Sequence, residues 1–330
     1  MSSRMVLAGN VIADLVIEVP ALPERGGDVV GTRTELTAGG GFNTLAAAGR
    51  LGAATVFAGL HGTGPYGDLV RAALAAEGVR TLLPPRTDGD TGFTVALVDA
   101  DGERTFVTSF GVDARMTPAE AEKIAAEIRP GDLVQVSGYG LVMPVNGPLL
   151  ASLVDRLPDS ATVCLDPAPL VADIPAGVLE PVLARTDWLS ANAREAALMS
   201  GSAATDPARA AAALRARLPR AGAGVLVRAD RDGCWLAPPD GAPPVRVPGL
   251  PVTAVDSSGA GDAHVGAFLA LLGEGADPFA AARAANASAA YAVTRRGPAT
   301  APTREQLRSF AAEMGAEDVV ALLDGRAAEA

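Results

Sequence analysis

Residues 256–262 read DSSGAGD and lead directly into the apolar run AHVGAFLALL of residues 263–272. Two glycines just before a helix let several backbone N–H groups point outward together, and the helix dipole adds partial positive charge there. This pattern predicts an anion site that needs no lysine. Beside a bound phosphate, the carboxylate of Asp262 is suited to take a proton from an attacking hydroxyl. The alternative from these residues alone is a glycine turn in which Asp262 caps the helix.

The charge balance excludes several classes of function. The chain has 330 residues with 27 Lys+Arg and 38 Asp+Glu, a formal net charge of −11, which argues against broad nucleic-acid binding. Lys123 is the only lysine and lies in the helical-looking stretch 118–128. A lysine-containing phosphate loop is therefore excluded, and Schiff-base chemistry or a protein-kinase-type lysine on a strand is disfavoured. Any phosphate must be held by backbone amides and arginines.

Helices and strands alternate strictly from about residue 118, which predicts βαβ units, a mostly parallel sheet and ligand binding at the carboxyl ends of its strands. The predicted strands are 5–8, 55–58, 133–137, 162–166, 188–190 and 224–228, with a short hairpin at 234–237 and 245–247. The predicted helices are 43–51, 68–77, 118–128, 147–156, 175–184, 207–218, 260–272, 278–294 and 303–313.

Two blocks near the N-terminus do not fit this core. Residues 14–19 and 28–36, and then 92–98 and 104–108, alternate apolar and polar side chains, as strands with one solvated face do. They predict a small sheet projecting from the core as a lid. The expected organisation is a core of residues 1–14, 38–88 and 113–330, and a discontinuous β lid of residues 15–37 and 89–112.

Several motifs together resemble the ribokinase-like (PfkB) carbohydrate kinases. DSSGAGD matches that family's second signature at every fixed position, and residues 39–43 (GGGFN) with the following helix to Leu51-Gly52 resemble its first. The similarity continues at Gly9-Asn10, at the N-x-x-E run of residues 192–195, and at AVTRRG, residues 292–297. The resemblance covers nearly the whole chain. It implies a three-layer α/β/α fold with a mostly parallel central sheet and a small β-sheet lid.

The resemblance also implies residue roles. Asp262 would be the general base, and the amides of Gly259, Ala260 and Gly261 the anion hole. The implied sugar-binding residues are Asn10, Asp14, Gly39, Gly40, Gly41 and Asn43. The implied nucleotide-binding residues are Asn192, Glu195, Arg228, Gly233 and Asn286. Glu195 would also hold Mg²⁺ through water, and Asp256 and Ser258, with carbonyls around Val293, Arg296 and Gly297, would lie at a monovalent-cation (K⁺) site.

The residues alone allow simpler interpretations. Asn192 and Glu195 form a helix cap with an acid in the first turn, and Asp14 is a turn residue at the end of a strand. Two departures from the family pattern stand out. Asp230 occupies a position where the family usually has glycine, and residues 62–65 (GTGP) lack the acid of the family's G-x-D segment. The G-x-G-x-x-G match at 62–67 is a weak dinucleotide fingerprint, because Pro65 stiffens the loop and no clean strand-end acid follows.

The remaining special residues have ordinary roles. We expect Cys164 and Cys234 to be reduced core thiols, Trp188 and Trp235 to be core residues, and His264 to be packed or capping and not a phosphate contact. No apolar run approaches the length of a membrane span, and the N-terminus lacks a signal-peptide core. We therefore expect a cytoplasmic protein with no membrane or nucleic-acid partner.

The functional prediction is an ATP- and Mg²⁺-dependent kinase acting on a primary hydroxyl of a small sugar, with the lid closing over the substrate. One alternative is a nucleoside kinase acting on the ribose 5′-hydroxyl. Its base would need an apolar slot, which Phe42, Phe93, Phe106 and Phe110 could line, although they fit lid core as well. The alternative of another class is a non-catalytic sugar or nucleotide sensor. The lid edges could also pair two chains as a homodimer.

Overall fold

The strands and helices of the computed structural model, which describes residues 3–325, follow the predicted alternation. The strands are β1 (Arg4–Ala8), β2 (Val11–Glu18), β3 (Arg33–Gly40), β4 (Ala54–Phe57), β5 (Arg80–Thr81), β6 (Phe93–Val98), β7 (Arg104–Ser109), β8 (Leu133–Ser137), β9 (Thr162–Asp166), β10 (Trp188–Asn192), β11 (Gly224–Arg228), β12 (Cys234–Ala237) and β13 (Val245–Val247). The helices are α1 (Phe42–Arg50), α2 (Pro65–Ala76), α3 (Pro118–Glu127), α4 (Gly138–Leu141), α5 (Asn146–Asp155), α6 (Ala176–Arg185), α7 (Ala193–Ser200), α8 (Pro207–Arg217), α9 (Ala260–Gly273), α10 (Pro278–Val293), α11 (Arg304–Glu313) and α12 (Glu317–Leu323).

The main sheet, nine strands within the described residues, runs β13-β12-β11-β10-β9-β8-β1-β4-β5. It is parallel except at β12 and β13, which pair antiparallel. Along β1, Met5 and Leu7 enter one buried cluster with α1 and α9, whereas Val6 and Ala8 enter the other with α3, α5 and α6. Successive side chains of a strand point to opposite faces, so both faces are covered by helices. The predicted three-layer α/β/α architecture is confirmed.

A second, small sheet has the order β3-β2-β6-β7 in the described part of the chain. Its outer pairs are antiparallel, and β2 pairs with β6 in parallel. Cα partners across β2, β6 and β7 lie on one face of the sheet, because side chains alternate with period two. The rows of one face are Asp14–Thr94–Thr108, Val16–Ala96–Phe106 and Glu18–Val98–Arg104, and we call it the site face.

The prediction of a strand over residues 28–36 is wrong. The strand is Arg33–Gly40, and residues 28–32 lie outside any strand. The reason is pairing: β3 follows β2 over its whole length, so that Gly40 lies opposite Val11, and the glycines that suggest a turn complete the strand. Sequence patterns also missed three helices and the short strand β5. The missed helices are α4, α7 and α12.

The special core residues lie as expected. Trp188 is buried and packs edge-to-face on Phe268, with ring centroids 4.9 Å apart. Cys164 and Cys234 are free buried thiols, and His264 is also buried. Within residues 3–325, no helix is both long and apolar enough to cross a lipid bilayer.

Candidate active site

The carboxyl edge of the main sheet gathers the predicted site residues. Strands β8 and β9 end opposite each other at Ser137 and Asp166, and β10 and β11 end opposite each other at Asn192 and Arg228, all at this edge. Asn10 follows β1 at the same edge. The carboxyl ends of parallel strands meet at one side of a sheet, which is why residues far apart in sequence come together here.

Asp262 lies in the first turn of α9 and contacts α1. Thr44 Oγ1 donates a hydrogen bond to Asp262 Oδ1 at 2.7 Å, and Asn43 Nδ2 lies 3.5 Å from Oδ2. Burial raises the pKa of Asp262 to about 6, assisted by the charge of Asp166 and opposed by the hydrogen bond from Thr44. A carboxylate with this pKa is ionised at neutral pH and can still accept a proton, as a general base requires.

Asp14 lies on the site face and close to Asp262. Burial, together with the negative charge of Asp262, raises the pKa of Asp14 to about 7. A Cβ atom at Gly39 would lie 1.8 Å from Asp14 Oδ2, so only glycine fits beneath this carboxylate. Gly41 is constrained in a similar way, since its Cβ would lie 2.2 Å from Leu7 Cδ2. The glycine cluster therefore positions Asp14 and lets the chain pass closely over β1.

Two buried asparagines present unpaired oxygens at the same edge. Asn10 donates through Nδ2 to Asp113 O and Oδ2 at 3.2 and 3.1 Å. Within residues 3–325, nothing donates to Asn10 Oδ1 or Asn43 Oδ1. With Asp14 and Asp262, these atoms make a set of acceptors that calls for a ligand rich in hydroxyl donors.

The start of α9 has the geometry of an anion site. Gly259 adopts φ +68°, and a Cβ there would lie 1.8 Å from Pro298 O, so glycine is required. The first helical bond joins Ala263 N to Gly259 O at 2.8 Å, and the N–H groups of Gly261 and Asp262 precede it. Of the three predicted amides, that of Ala260 already donates to Ser257 O, at 3.3 Å.

Arg228 is the cation beside this helix start. Its guanidinium lies within 3.7 Å of the position a Cβ would take at Gly261. Nη1 donates to Ser190 Oγ at 2.6 Å and to Asp166 Oδ2 at 3.2 Å, and Nη2 lies 3.7 Å from Glu195 Oε2. The side chain is thus fixed by three partners and turned towards the predicted anion hole.

Asn192 and Glu195 form a capping box at the start of α7. Asn192 Oδ1 accepts from Glu195 N, and Glu195 Oε2 accepts from Asn192 N, both at 2.8 Å. Burial and the charge of Asp166 raise the pKa of Glu195 above its usual value. Asn192 and Glu195 therefore form the helix cap that is the simpler interpretation of these residues. Glu195 and Asp166 also both face Arg228.

The predicted Mg²⁺ ion would bind beside these carboxylates. The described residues contain no group of three or more His, Cys, Asp or Glu placed to hold a metal directly. Asp166 and Glu195 repel each other; Arg228 lies near both carboxylates, and Arg194 also lowers the pKa of Glu195. This charge arrangement fits a hydrated cation held through its water molecules.

Gly233 and Asn286 lie on the far side of Arg228 and share one contact, the carbonyl of Val247. Asn286 Nδ2 donates to Val247 O at 3.0 Å, and a Cβ at Gly233 would lie 2.2 Å from the same oxygen. Both residues therefore shape the β12–β13 hairpin.

Known proteins are similar to this chain in sequence. The sequence model described as pfkB family carbohydrate kinase matches residues 2–305. The chain is 32% identical over 304 residues to the uncharacterised sugar kinase YegV of Escherichia coli K12, covering 92% of each protein. The chain belongs to the PfkB family of carbohydrate kinases. Members of this family transfer a phosphoryl group to a hydroxyl, so this PfkB protein is a sugar kinase. The alternative of a non-catalytic sensor is therefore not supported.

Solved structures show the same fold. The ribokinase of Giardia lamblia superposes with a TM-score of 0.81 at 23% identity, covering 93% of this chain and 99% of that one. The ribokinase of Arabidopsis thaliana complexed with ribose and ATP superposes with a TM-score of 0.75 at 24% identity, covering 94% and 99%. Each confirms the ribokinase-like fold of this PfkB kinase.

The two departures from the PfkB pattern have structural reasons. Asp230 adopts φ +49°, a left-handed conformation that glycine takes freely and that aspartate tolerates better than most residues. In the loop at residues 62–65, the carboxylate of Asp90 takes the place of a local acid. It accepts from Tyr66 N at 3.0 Å and from Gly67 N at 2.7 Å. Asp90 therefore leaves those two amides unavailable to a dinucleotide.

The four phenylalanines do not line one slot. Phe42 is buried in the core, Phe93 lies on the face of the small sheet opposite Asp14 and packs on Tyr66, and only Phe106 belongs to a row of the site face. The slot that the nucleoside alternative would need is not formed by Phe93 and Phe106 together, because the alternation of β6 and β7 sends these two rings to different faces.

Sequence reasoning missed four residues of the site. Thr44, Asp166 and Ser190 bond to Asp262 or Arg228, and Tyr139 is half exposed with the charges of Asp14, Asp166, Glu195 and Asp262 around its hydroxyl. The available signal was position: each of Asp166, Ser190 and Tyr139 lies at or near the end of a predicted parallel strand.

Proposed function

We propose that this PfkB kinase phosphorylates a primary hydroxyl of a small uncharged sugar with ATP, using Asp262 as the general base. The observation that carries the proposal is the pairing of Asp262 and Asp14 beside the start of α9. One carboxylate is free to take a proton, and the other can hold neighbouring sugar hydroxyls.

The reaction follows from this arrangement. The sugar hydroxyl gives its proton to Asp262 while its oxygen bonds to the terminal phosphorus of ATP, and the bond from that phosphorus to the bridging oxygen breaks to release ADP. The N–H groups of Gly259 and Gly261, the dipole of α9 and Arg228 stabilise the negative charge of the transferring group.

The nucleotide lies along Arg228 towards the hairpin shaped by Gly233 and Asn286. Asn192, Glu195 and Asp166 hold a hydrated Mg²⁺ ion, which supplies charge neutralisation for the phosphates when bound. Residues 15–37 and 89–112 close as a lid and exclude water, and Phe106 covers the sugar from the site face.

A free sugar is preferred to a nucleoside as the substrate. The unpaired buried groups at the substrate end are acceptors, Asn10 Oδ1 and Asn43 Oδ1, and they match hydroxyl donors. A nucleobase needs an apolar slot, and of the phenylalanines within β6 and β7 only Phe106 lies on the site face.

Thermal shift with a panel of sugars and nucleosides in the presence of ATP, followed by coupled ADP release, tests the proposal. We expect a sugar to give both signals. Asp262→Asn is expected to lower kcat by about 10²–10⁴-fold with sugar binding nearly intact, because a general base contributes that much. The matched control is Asp155→Asn on the exposed end of α5, which should keep full activity. An active Asp262→Asn variant would place the base elsewhere, and ADP release with nucleosides alone would favour the nucleoside alternative.

A lid-to-lid homodimer is part of the same proposal. Leu36 and Val107, 47% and 65% exposed, lie on the face of the small sheet opposite the site face. Light scattering on a sizing column should give the mass of two chains, and Val107→Glu should give the mass of one. A monomeric native protein contradicts this pairing.

A further inference from the structure

An arginine of the small sheet reaches the loop predicted to bind a monovalent cation. Arg104 begins β7, and its Nη2 donates to Asp256 Oδ1 while Nη1 lies 3.4 Å from Ser257 Oγ. The side chains of Arg104 and Asp256 are only 24% and 20% exposed. This ion pair joins the site face of the small sheet to the segment that precedes α9.

The carboxylate of Asp256 has further donors from the protein itself. Oδ1 accepts from Ser258 N at 2.8 Å and from Ser258 Oγ at 2.7 Å, and Oδ2 accepts from Gly297 N at 2.9 Å. Both oxygens are therefore engaged, and the hydroxyl of Ser258 is used as a donor.

The carbonyls of the same loop also face protein donors. Val293 O accepts from the N–H groups of Val255 and Asp256 at 2.7 and 3.1 Å. Gly297 O accepts from Thr300 Oγ1 at 3.2 Å. Both oxygens of Asp256 and the carbonyls of Val293 and Gly297 thus already accept hydrogen bonds from the protein, and this set does not fit a bare cation.

A second ion pair connects the same two regions. Glu18 Oε1 lies 3.7 Å from Arg296 Nη1, and Glu18 belongs to the same row of the site face as Arg104. The ends of β2 and β7 therefore both contact this loop.

We propose that Arg104 supplies, from the small sheet, the positive charge at Asp256 that a monovalent cation would otherwise supply, so that this kinase works without K⁺. A guanidinium and a K⁺ ion each bring one positive charge. The guanidinium is tied to β7, so neutralisation of the loop beside α9 depends on the small sheet lying over the site. The activity part of this inference rests on the proposed function, whereas the binding part does not.

Thermal unfolding without substrate tests the binding part. The native protein, Arg104→Gln and the control Arg33→Gln are compared at about 100 mM KCl, NaCl and choline chloride, which keeps screening equal. Arg33 lies on the same small sheet, and its ion pairs are with Glu18 and Glu35 of that sheet. We expect native and Arg33→Gln Tm values to agree among the salts within about 1 °C, and Arg104→Gln to gain about 2 °C or more in KCl over choline chloride, because a freed carboxylate binds the ion. The proposal is overturned if the native Tm differs between KCl and choline chloride by more than about 1 °C, or if the Tm of Arg104→Gln rises by less than about 2 °C in KCl over choline chloride.

ADP release with the sugar found above provides the second arm. Native activity should be the same in KCl and choline chloride within about twofold, and Arg104→Gln should lose about tenfold in choline chloride and recover part of it in KCl. Stimulation of the native enzyme by KCl beyond that range, or an Arg104→Gln variant with native activity in choline chloride, overturns the proposal. If no sugar supports ADP release, the proposed function fails, and the Tm comparison still decides the role of Arg104.

Discussion

Replacing Thr44 by valine is expected to move the acidic limb of the pH–rate profile to higher pH. Thr44 is buried, and its hydroxyl donates to Asp262 Oδ1 at 2.7 Å. This bond stabilises the ionised carboxylate, so its loss raises the pKa of Asp262 from its native value of about 6. The valine side chain has the same shape and leaves no cavity.

The magnitude follows from the strength of this bond. A hydrogen bond to a charged group contributes about 1.5–3 kcal/mol, and one pKa unit corresponds to about 1.4 kcal/mol, so the expected shift is about 1 to 2 units. The midpoint of the limb then moves to roughly pH 7–8, and kcat at pH 7 falls about 2- to 10-fold while the rate above pH 9 is nearly restored.

The assay is kcat from coupled ADP release between about pH 5 and 10. Thr55→Val is the matched control, since Thr55 is also buried but its hydroxyl has no hydrogen-bond partner among the described residues. It should leave the midpoint unchanged. A Thr44→Val enzyme with an unshifted limb and native folding would refute the assignment of this limb to Asp262.

Two further predictions concern stability. Asp14→Asn should raise the free energy of unfolding at pH 8 and leave it unchanged below pH 4. The pKa of Asp14 in the folded protein, about 7, is above its usual value of 3.8. The protonated carboxyl therefore favours folding, and the stability of the native protein declines as pH rises through 7. The gain is at most about 4 kcal/mol, and urea unfolding at the two pH values measures it; an equal effect at both would contradict the raised pKa. Asp90→Ala should lower the unfolding free energy by about 1–2 kcal/mol through loss of the α2 cap, whereas Asp88→Ala, at an exposed neighbour, should change it little; equal effects would contradict the capping role.

Most of the fold could be predicted because its signals are local. The strands around residues 133–137, 162–166 and 224–228 are apolar runs between helical patterns, and the structure has them with the same bounds. The strand at 28–36 was wrong because its register depends on β2, a partner that periodicity does not reveal. For the same reason the sequence left open whether Phe93 and Phe106 lie on one face of the small sheet.

Some residues of the site could likewise be predicted from the sequence, and others could not. DSSGAGD alone indicated the anion-binding start of α9 and the position of Asp262, because glycine and helix-dipole effects act within a few residues. Thr44, Asp166 and Arg104 could not be found in this manner. Their importance comes from contacts with Asp262, Arg228 and Asp256, which lie far away in sequence.

The order of residues by itself indicated an α/β sugar kinase with a small second sheet, and it predicts a phosphate site that contains no lysine. Tertiary structure alone decided the charge state of the site. Burial raises the pKa of both Asp14 and Asp262, with the charge of Asp262 adding to the effect on Asp14 and that of Asp166 to the effect on Asp262. Arg104 neutralises Asp256 because β7 lies against the main domain. Electrostatic interactions depend on distance and on exclusion of water, and neither quantity exists until the chain has folded.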